Sequence, residues 1–223
     1  MQYRHEWKHE INALDRRILL SRLSAVMQRD AHAIDGMYRI RSLYFDTPGD
    51  TALREKIDGV NCREKFRIRC YNLDPSFIVL EKKSKMNGLC AKGSCRLTAE
   101  ETRRLIDGDI GWMRESGHPL CVELYAKMRS RGLRPKTIVD YTRDPFVFAP
   151  GNVRVTIDRD IRTGMGNTDF LNPAALTLPA GDAPMILEVK WDAYLPDIIR
   201  DAVTLPGRRV SAFSKYEQCR IYG

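Results

Sequence analysis

The run of sequence that most restricts the fold is residues 63–71, in which charged and apolar side chains alternate. Successive side chains of a β-strand point to opposite faces, so a strand here would carry its apolar side chains on one face only. Four cations would share the other face: Arg63, Lys65, Arg67 and Arg69. Such a strand is either half-buried with a basic face in water or one wall of a site for a polyanion.

The same spacing of charge recurs elsewhere in the chain. A carboxylate and a lysine stand two residues apart in Glu6-x-Lys8, Glu81-x-Lys83 and Glu188-x-Lys190. Arg154 and Asp158 likewise face away from the apolar residues between them. Repeated charged faces are typical of a charged interior, in which a sheet closes on itself and packs its apolar faces against outer helices. The sequence therefore predicts an α+β fold, a closed antiparallel β-barrel with helices packed outside.

Local patterns predict the order of the elements. Strands are predicted at residues 3–11, 38–46, 63–71, 77–85, 94–97, 136–143, 152–161 and 185–191. Helices are predicted after the N-cap Asn12, from the capping box at Thr98, at 196–203 and within 211–222. Residues 52–57 are interpreted as a helix or loop, 119–130 as a helix or long strand, and 86–93 and 163–183 as loops. No linker interrupts the pattern, so we expect one domain over residues 1–223.

The overall charge restricts the class of partner. A net charge of +8 points to an anionic partner: nucleic acid, a phosphate-rich small molecule or a membrane surface. The sequence has no run of eighteen apolar residues, so no transmembrane segment is predicted. The polar N-terminus lacks the apolar stretch of a signal peptide. We therefore expect a cytoplasmic protein.

A charged interior needs a ligand, because buried like charges must be neutralised. A phosphate chain would do so: Arg and Lys would bind its oxygens, while Glu81 and Glu188 would hold a divalent metal. The Walker A, protein-kinase, G-x-S-x-G and H-E-x-x-H motifs are all absent from the sequence. Any phosphate chemistry must then come from side chains on strands. Nucleic acid is not expected, since single-strand binders interleave stacking aromatics with their cations and Phe66 falls on the opposite face.

Taken together, the motifs resemble those of the catalytic domain of the vacuolar transporter chaperone (VTC) polyphosphate polymerases, within the triphosphate tunnel metalloenzyme superfamily. The matching stretches are Glu6-Trp-Lys8, Ser42-Leu-Tyr-Phe-Asp46, Lys65-Phe-Arg-Ile-Arg69, Leu80-Glu-Lys-Lys83, Val139-Asp-Tyr-Thr-Arg143, Arg154-Val-Thr-Ile-Asp-Arg159, Leu187-Glu-Val-Lys-Trp191 and Ser214-Lys215. Each is short, but their order and spacing extend over essentially the whole chain.

The resemblance implies an enzyme that transfers the γ-phosphoryl group of ATP to a growing inorganic polyphosphate chain inside a basic tunnel, with Mn²⁺ or Mg²⁺. The catalytic cations that it implies are Arg67, Arg69, Lys83, Arg143, Arg154 and Lys215. Further substrate-binding positions are Lys8, Lys65, Lys92, Lys190 and Arg159. Glu188 is the implied metal ligand, with Glu81 as a second carboxylate.

Several alternatives remain open from the sequence. The hydrolases of the superfamily carry a Glu-x-Glu-x-Lys signature, whereas the first strand here has Glu6-x-Lys8-x-Glu10, which favours a polymerase or a polyphosphate-binding protein over a two-metal hydrolase. A metal-dependent triphosphate or polyphosphate hydrolase and a non-catalytic polyphosphate-binding module remain alternatives. Glu6 and Glu81 either bind metal or brace neighbouring lysines. Coupling to translocation would need a separate membrane protein as partner.

Overall fold

The computed structural model describes residues 4–86, 89–182 and 184–222. In chain order the first half contains β1 (His5–Ile11), α1 (Ala13–Val26), β2 (Gln28–Arg29), β3 (Tyr38–Asp46), α2 (Thr51–Ile57), β4 (Arg63–Tyr71), β5 (Ile78–Met86), β6 (Leu89–Leu97) and α3 (Ala99–Ile106). A 3₁₀ turn (Gly111–Glu115) leads to α4 (Pro119–Arg131) and β7 (Arg134–Phe148), and a second 3₁₀ turn (Pro150–Asn152) leads to β8 (Val153–Thr163). The chain ends with β9 (Leu178–Pro179), β10 (Met185–Trp191), α5 (Asp197–Val203) and α6 (Lys215–Ile221).

The long strands form one curled antiparallel sheet in the order β1-β10-β8-β7-β3-β4-β5-β6, with β2 on β7 and β9 on β8. Among the described strands, β1 and β6 are free edges that share no ladder, so the sheet is a half-barrel. The prediction of a closed barrel is therefore wrong in this respect. Both edge strands carry charged side chains, such as Lys8 and Lys92, and charge on an edge disfavours pairing with another strand.

Two apolar clusters on the convex face of the sheet hold the helices. Leu19 and Leu23 of α1 and Ile199 of α5 pack against β7, β8 and β10. Leu105 of α3 and Leu124 of α4 pack against β3, β4 and β5. All five side chains are buried, and each such side chain stabilises the fold by roughly 1.5–3 kcal/mol through removal of apolar surface from water. The prediction of helices outside the sheet is thus confirmed for α1, α3, α4 and α5, and the charged faces of the strands are left on the concave side.

The helix starts follow the predicted capping signals. The Asn12 side chain accepts a hydrogen bond from the Asp15 backbone N–H, and the Asp15 carboxylate accepts one from the Asn12 backbone N–H. Thr98 and Glu101 form the same reciprocal capping box at the start of α3. Each box satisfies backbone N–H groups that the first turn of a helix leaves unpaired. Within the described residues, no helix is long and apolar enough to cross a membrane.

The C-terminal helix α6 packs on the concave face rather than outside. The hydroxyl of Tyr216 donates to the buried Asp46 carboxylate at 2.5 Å, and the Thr163 hydroxyl donates to the Cys219 carbonyl at 2.9 Å. Arg220 forms an ion pair with Asp50 at 2.9 Å. These contacts place the helix start, with Ser214 and Lys215, inside the curve of the sheet.

The strand predictions fail mainly at β6. Residues 86–93 were predicted as a loop from their glycines, but residues 89–97 all pair in register with β5. Cross-strand pairing therefore outweighs the weak strand propensity of this segment; positions 87 and 88 of the predicted loop lie outside the described residues. The two-residue strands β2 and β9 were not predicted, and β7 extends to Phe148, beyond the predicted end at 143.

A buried ion pair ties β3 to β7 on the convex side. Arg41 is fully buried, and its Nε and Nη2 atoms donate to the Asp140 carboxylate at 3.0 and 2.9 Å. Arg39 adds a second guanidinium to the same carboxylate at 3.0 Å. Because both members of the Arg41–Asp140 pair are out of water, the loss of one leaves the other uncompensated.

We expect Asp140→Ala to lower the free energy of unfolding by about 3–5 kcal/mol, because it leaves the buried Arg41 guanidinium without its carboxylate. Urea denaturation followed by circular dichroism measures the change. The matched control is Asp109→Ala, which removes the carboxylate of the exposed Arg104–Asp109 pair and should leave the unfolding midpoint unchanged. Equal midpoints for the two variants would contradict a stabilising role for Asp140.

Candidate functional site

The register of the sheet gathers the charged doublets on the concave face. Lys8 of β1 lies opposite Glu188 of β10, which lies opposite Thr156 of β8. On the other side, Arg67 of β4 lies opposite Glu81 of β5. Because the sheet curls, these two walls face each other across the concavity. The alternation seen in the sequence thus brings the charged residues of distant strands to one face of the sheet.

The wall formed by β1 and β10 is organised around Glu188. This carboxylate is 6% exposed, forms an ion pair with Lys190 and lies 3.8 Å from the ammonium of Lys8. Glu6 lies 3.3 Å from Lys190 and 3.7 Å from Lys8. Burial opposes ionisation, but Lys190 and Lys8 hold the pKa of Glu188 well below its ordinary value. Glu188 is therefore a carboxylate anion at any physiological pH.

One ion pair connects the two walls across the opening of the half-barrel. The ammonium of Lys83, on β5, lies 3.3 Å from the carboxylate of Glu6, on β1. This side-chain contact joins strands that share no backbone ladder among the described residues. It makes the concavity tunnel-like although the sheet is open.

The floor of the concavity is organised around Asp158 of β8. Arg143 of β7 donates to its two oxygens from Nε at 2.6 Å and Nη2 at 2.7 Å, a bidentate pair. The ammonium of Lys215, at the start of α6, lies 2.5 Å from the same carboxylate. Asp158 is fully buried. Burial raises its pKa, but Arg143 and Lys215 outweigh that effect and hold the pKa below its ordinary value. Two predicted catalytic cations are thus positioned by a carboxylate that the sequence had not singled out for this role.

The wall formed by β4, β5 and β6 is organised around Glu81. Its carboxylate lies 2.7 Å from Arg67, 3.6 Å from Arg69 and 2.5 Å from Lys92. Burial opposes ionisation, but these three cations hold the pKa of Glu81 well below its ordinary value. Three cations surround its two oxygens, an arrangement that fits a bracing role.

Tyrosine hydroxyls accept further hydrogen bonds from the two arginines of this wall. Arg67 Nη1 donates to the Tyr44 hydroxyl at 2.7 Å, and Arg69 Nη2 donates to the Tyr141 hydroxyl at 3.1 Å. Arg69 Nε also donates to the Ser42 hydroxyl at 3.3 Å. These bonds hold the guanidinium planes in place before any ligand arrives.

Lys65 differs from the other cations of the surface. Its ammonium donates to the Ser214 hydroxyl at 3.2 Å, whereas Lys8, Lys83 and Lys190 each have a carboxylate within 4 Å. Burial and the nearby Lys56 ammonium lower the pKa of Lys65 to about 7. An anionic ligand would add opposite charge beside this lysine.

Two buried donors on β8 also lack a partner. Arg154 pairs with Asp30 at 2.9 Å and donates to the Tyr38 hydroxyl, yet its Nε has no hydrogen bond within the part of the chain that the structure describes. The buried hydroxyl of Thr156 has none there either. Buried polar atoms are normally hydrogen-bonded, so unsatisfied donors on a concave face indicate a place for acceptor oxygens.

Arg159 lies apart from the predicted set. Strand alternation turns it to the face opposite Arg154 and Asp158, where it lies 3.6 Å from Asp144 and pairs with Asp160. The expectation that it lines the tunnel is therefore not met. The other predicted residues all lie on the concave surface: Lys8, Lys65, Arg67, Arg69, Glu81, Lys83, Lys92, Arg143, Arg154, Glu188, Lys190 and Lys215.

The surface keeps an excess of positive charge after its internal pairing. Ten predicted cations share it with five carboxylates, those of Glu6, Asp30, Glu81, Asp158 and Glu188. Among residues 4–86, 89–182 and 184–222, no three His, Cys, Asp or Glu side chains form a group that could hold a metal ion. Glu188 still fits a metal that takes most of its ligands from phosphate and water, as Mg²⁺ does. The arrangement is suited to binding a multiply charged phosphate ligand.

The sequence reasoning missed the residues that hold the cations in place. Asp30, Tyr38 and Tyr141 were not proposed as site residues, although each contacts a predicted cation. A signal was available for both tyrosines. Tyr38 shares the strand face of Ser42 by two-residue spacing, and Tyr141 stands two residues before the predicted cation Arg143. Asp30 stands in a connection after β2, where no strand period applies.

Comparison with known proteins gives a family and a fold. A family model described as the VTC domain matches residues 3–221. The curated proteins contain no match. A solved structure from Bacillus halodurans, of a protein whose proposed activity is adenylate cyclase, has 13% identity and a TM-score of 0.51, with 85% of this chain and 80% of that chain covered. Two Pyrococcus horikoshii proteins have 14% and 13% identity and TM-scores of 0.46 and 0.44, with 90% of this chain and 85% and 84% of those chains covered.

At such low identity the Bacillus halodurans structure shows a common fold and no more. The family match is broader evidence, because it extends over almost all of the sequence. It confirms the resemblance drawn from the strand motifs: the chain belongs to the VTC domain family.

Proposed function

We propose that this protein is a polyphosphate polymerase, which binds ATP and inorganic polyphosphate on the concave surface and transfers the γ-phosphoryl group to the chain. The observation that carries the proposal is the convergence of positioned cations with unsatisfied donors on one curved face. Neutral or singly charged ligands would leave much of this charge uncompensated. A chain of phosphates matches both its charge and its extended shape.

The proposed reaction needs no protein nucleophile. Phosphoryl transfer passes through a loose transition state and depends mainly on alignment and charge stabilisation. A terminal phosphate of the acceptor is already an anion and attacks without a strong general base. Arg67 and Arg69 would orient the reacting phosphates, because Glu81, Tyr44 and Tyr141 already fix their guanidinium planes. We expect such preorganised donors to contribute most of the rate enhancement.

The floor residues would stabilise the leaving side of the reaction. Arg143 and Lys215 share Asp158, so their combined charge exceeds that of their partner and remains available to phosphate oxygens. The Nε of Arg154 and the hydroxyl of Thr156 are further donors, and neither atom has a hydrogen-bond partner within the described residues. Lys8, Lys65, Lys83, Lys92 and Lys190 would extend the same surface along the chain of phosphates.

The triphosphate tunnel metalloenzymes generally use divalent metals, and Glu188 is the residue here that would hold one. Its carboxylate is ionised and lies beside Thr156 on the next strand. A bound Mn²⁺ or Mg²⁺ would offset negative charge on the transferred group and on the departing ADP. Glu81 is proposed as a brace for Arg67 and Arg69 instead.

The direct test is to incubate the protein with ATP and Mn²⁺ and to separate the products on a gel that resolves phosphate chains. Polyphosphate chains appearing together with ADP support the proposal. Orthophosphate as the only phosphate product would replace it with a hydrolase. Tight polyphosphate binding without turnover would replace it with a binding module.

We expect Arg67→Ala to lower the rate of chain synthesis by about a hundredfold or more, since it removes one preorganised donor to the reacting phosphates. The melting temperature should stay nearly unchanged or rise, because Arg69 and Lys92 still neutralise Glu81. Arg39→Ala is the matched control: it also removes a strand arginine, but on the convex face beside Asp140. If Arg67→Ala unfolds the protein, its role is structural and the assignment fails.

Lys65 gives a pH prediction. Its pKa of about 7 means that its positive charge is present below that pH and is lost as the pH rises through it. Affinity for inorganic tripolyphosphate should therefore fall above pH 7, by up to about tenfold per pH unit. Isothermal titration calorimetry from pH 6 to 8.5 measures this fall. The Lys65→Arg variant keeps its charge, so a fall as steep as that of the unsubstituted protein would contradict the role of Lys65.

A further inference from the structure

The concave face is aromatic rather than charged at the end of the sheet where β3 begins, β4 ends and β5 begins. Three aromatic rings follow one another there: the Tyr38 and Tyr71 centroids are 5.3 Å apart, and those of Tyr71 and Phe77 are 6.2 Å apart. The guanidinium of Arg96, on β6, lies over the Phe77 ring at 4.2 Å. We call Tyr38, Tyr71, Phe77 and Arg96 the aromatic rim.

The outer part of this rim is open to solvent. Phe77 is 41% exposed, and Arg96, which covers part of its ring, is exposed as well. Tyr38 is 3% exposed and packs in the cluster that also contains Ile40 and Tyr141, so the inner part of the rim belongs to the core of the concave face. The rings thus form a path from the packed floor to an open edge, and the core does not need the exposed ring of Phe77.

The rim continues directly from the phosphate-binding arginines. Tyr71 follows Arg69 by two residues and Arg67 by four on β4, and all three share the concave face. At about 3.3 Å per residue, Arg67 and Tyr71 are roughly 13 Å apart along the strand. This separation suits an extended triphosphate with its ribose, with phosphates at the arginines and the base at the rings.

We propose that the aromatic rim is the nucleobase subsite of the concave surface, where the base of a nucleoside triphosphate stacks on Phe77 and Arg96. The inference rests on the proposed function, because it takes a nucleoside triphosphate as the phosphate donor. Aromatic rings and arginine planes bind bases by stacking, which every base can do because each has a π face. The subsite therefore selects nucleoside triphosphates over inorganic triphosphate rather than one base over another.

The opposite end of the same strands carries a different chemistry. Lys65 of β4, Lys83 of β5 and Lys92 of β6 stand directly opposite one another in the register. Like charges in directly opposed positions destabilise a sheet unless something neutralises them. With the base at the aromatic rim, the γ-phosphate and the acceptor chain lie toward this row of lysines. The substrate therefore has a defined direction along β4.

The test compares two ligands by isothermal titration calorimetry: β,γ-imido-ATP, which carries a base, and inorganic tripolyphosphate, which does not. We expect Phe77→Ala to weaken binding of the nucleotide by about tenfold and to leave tripolyphosphate affinity unchanged. Phe77→Trp keeps a stacking surface and should restore nucleotide affinity. The matched control is Tyr222→Ala, which removes an aromatic side chain of 56% exposure that packs at Gly181 beyond α6, and it should change neither affinity.

The outcomes separate this inference from the proposed function. If Phe77→Ala leaves nucleotide affinity unchanged, or weakens both ligands equally, the subsite is wrong while phosphate binding stands. If neither ligand binds the unsubstituted protein, both proposals fail. Thermal melting of each variant shows that it is folded, and the exposure of Phe77 makes loss of the fold an unexpected result.

Discussion

The structure depends on how many lysine and arginine side chains are held close together on the concave face of one sheet. Each wall of the concave surface is built around a buried carboxylate, Glu188, Asp158 or Glu81, with two or more cations around it. Buried ion pairs of this kind contribute little net stability, since desolvation offsets most of the attraction. Their effect is positional: they hold guanidinium and ammonium groups in fixed places while leaving the surface positive. Apolar packing of helices on the convex face supplies stability that these ion pairs do not.

The contrast between a charged concave face and an apolar convex face explains which features the sequence could predict. Strands such as β4 and β10 were predicted closely, because most of their charged residues recur with a period of two. The same period placed Arg67, Lys83, Arg154 and Glu188 on one face. The starts of α1 and α3 were predictable because a capping box is a local signal.

The remaining features depend on contacts between distant segments. The edge strands β1 and β6 do not pair with each other. Whether two edge strands pair depends on the whole sheet, so the sequence of one strand cannot predict whether the barrel closes. Asp30 reaches the site from a connection without periodicity. Arg159 belonged to a matching motif, but its place in the alternation turns it to the other face. Tertiary pairing with β5 made a strand of residues 89–93 against their local signals.

The ion pair between Lys83 and Glu6, which joins the two walls, has a consequence for how a long polymer could enter the concavity. A backbone ladder in its place would admit a chain only by one of its ends. A partly exposed ion pair contributes about 1 kcal/mol or less and weakens with salt, so it parts at little cost. A polyanion also competes directly for Lys83. For the polyphosphate ligand proposed above, parting of this one contact would open a route into the groove from the side.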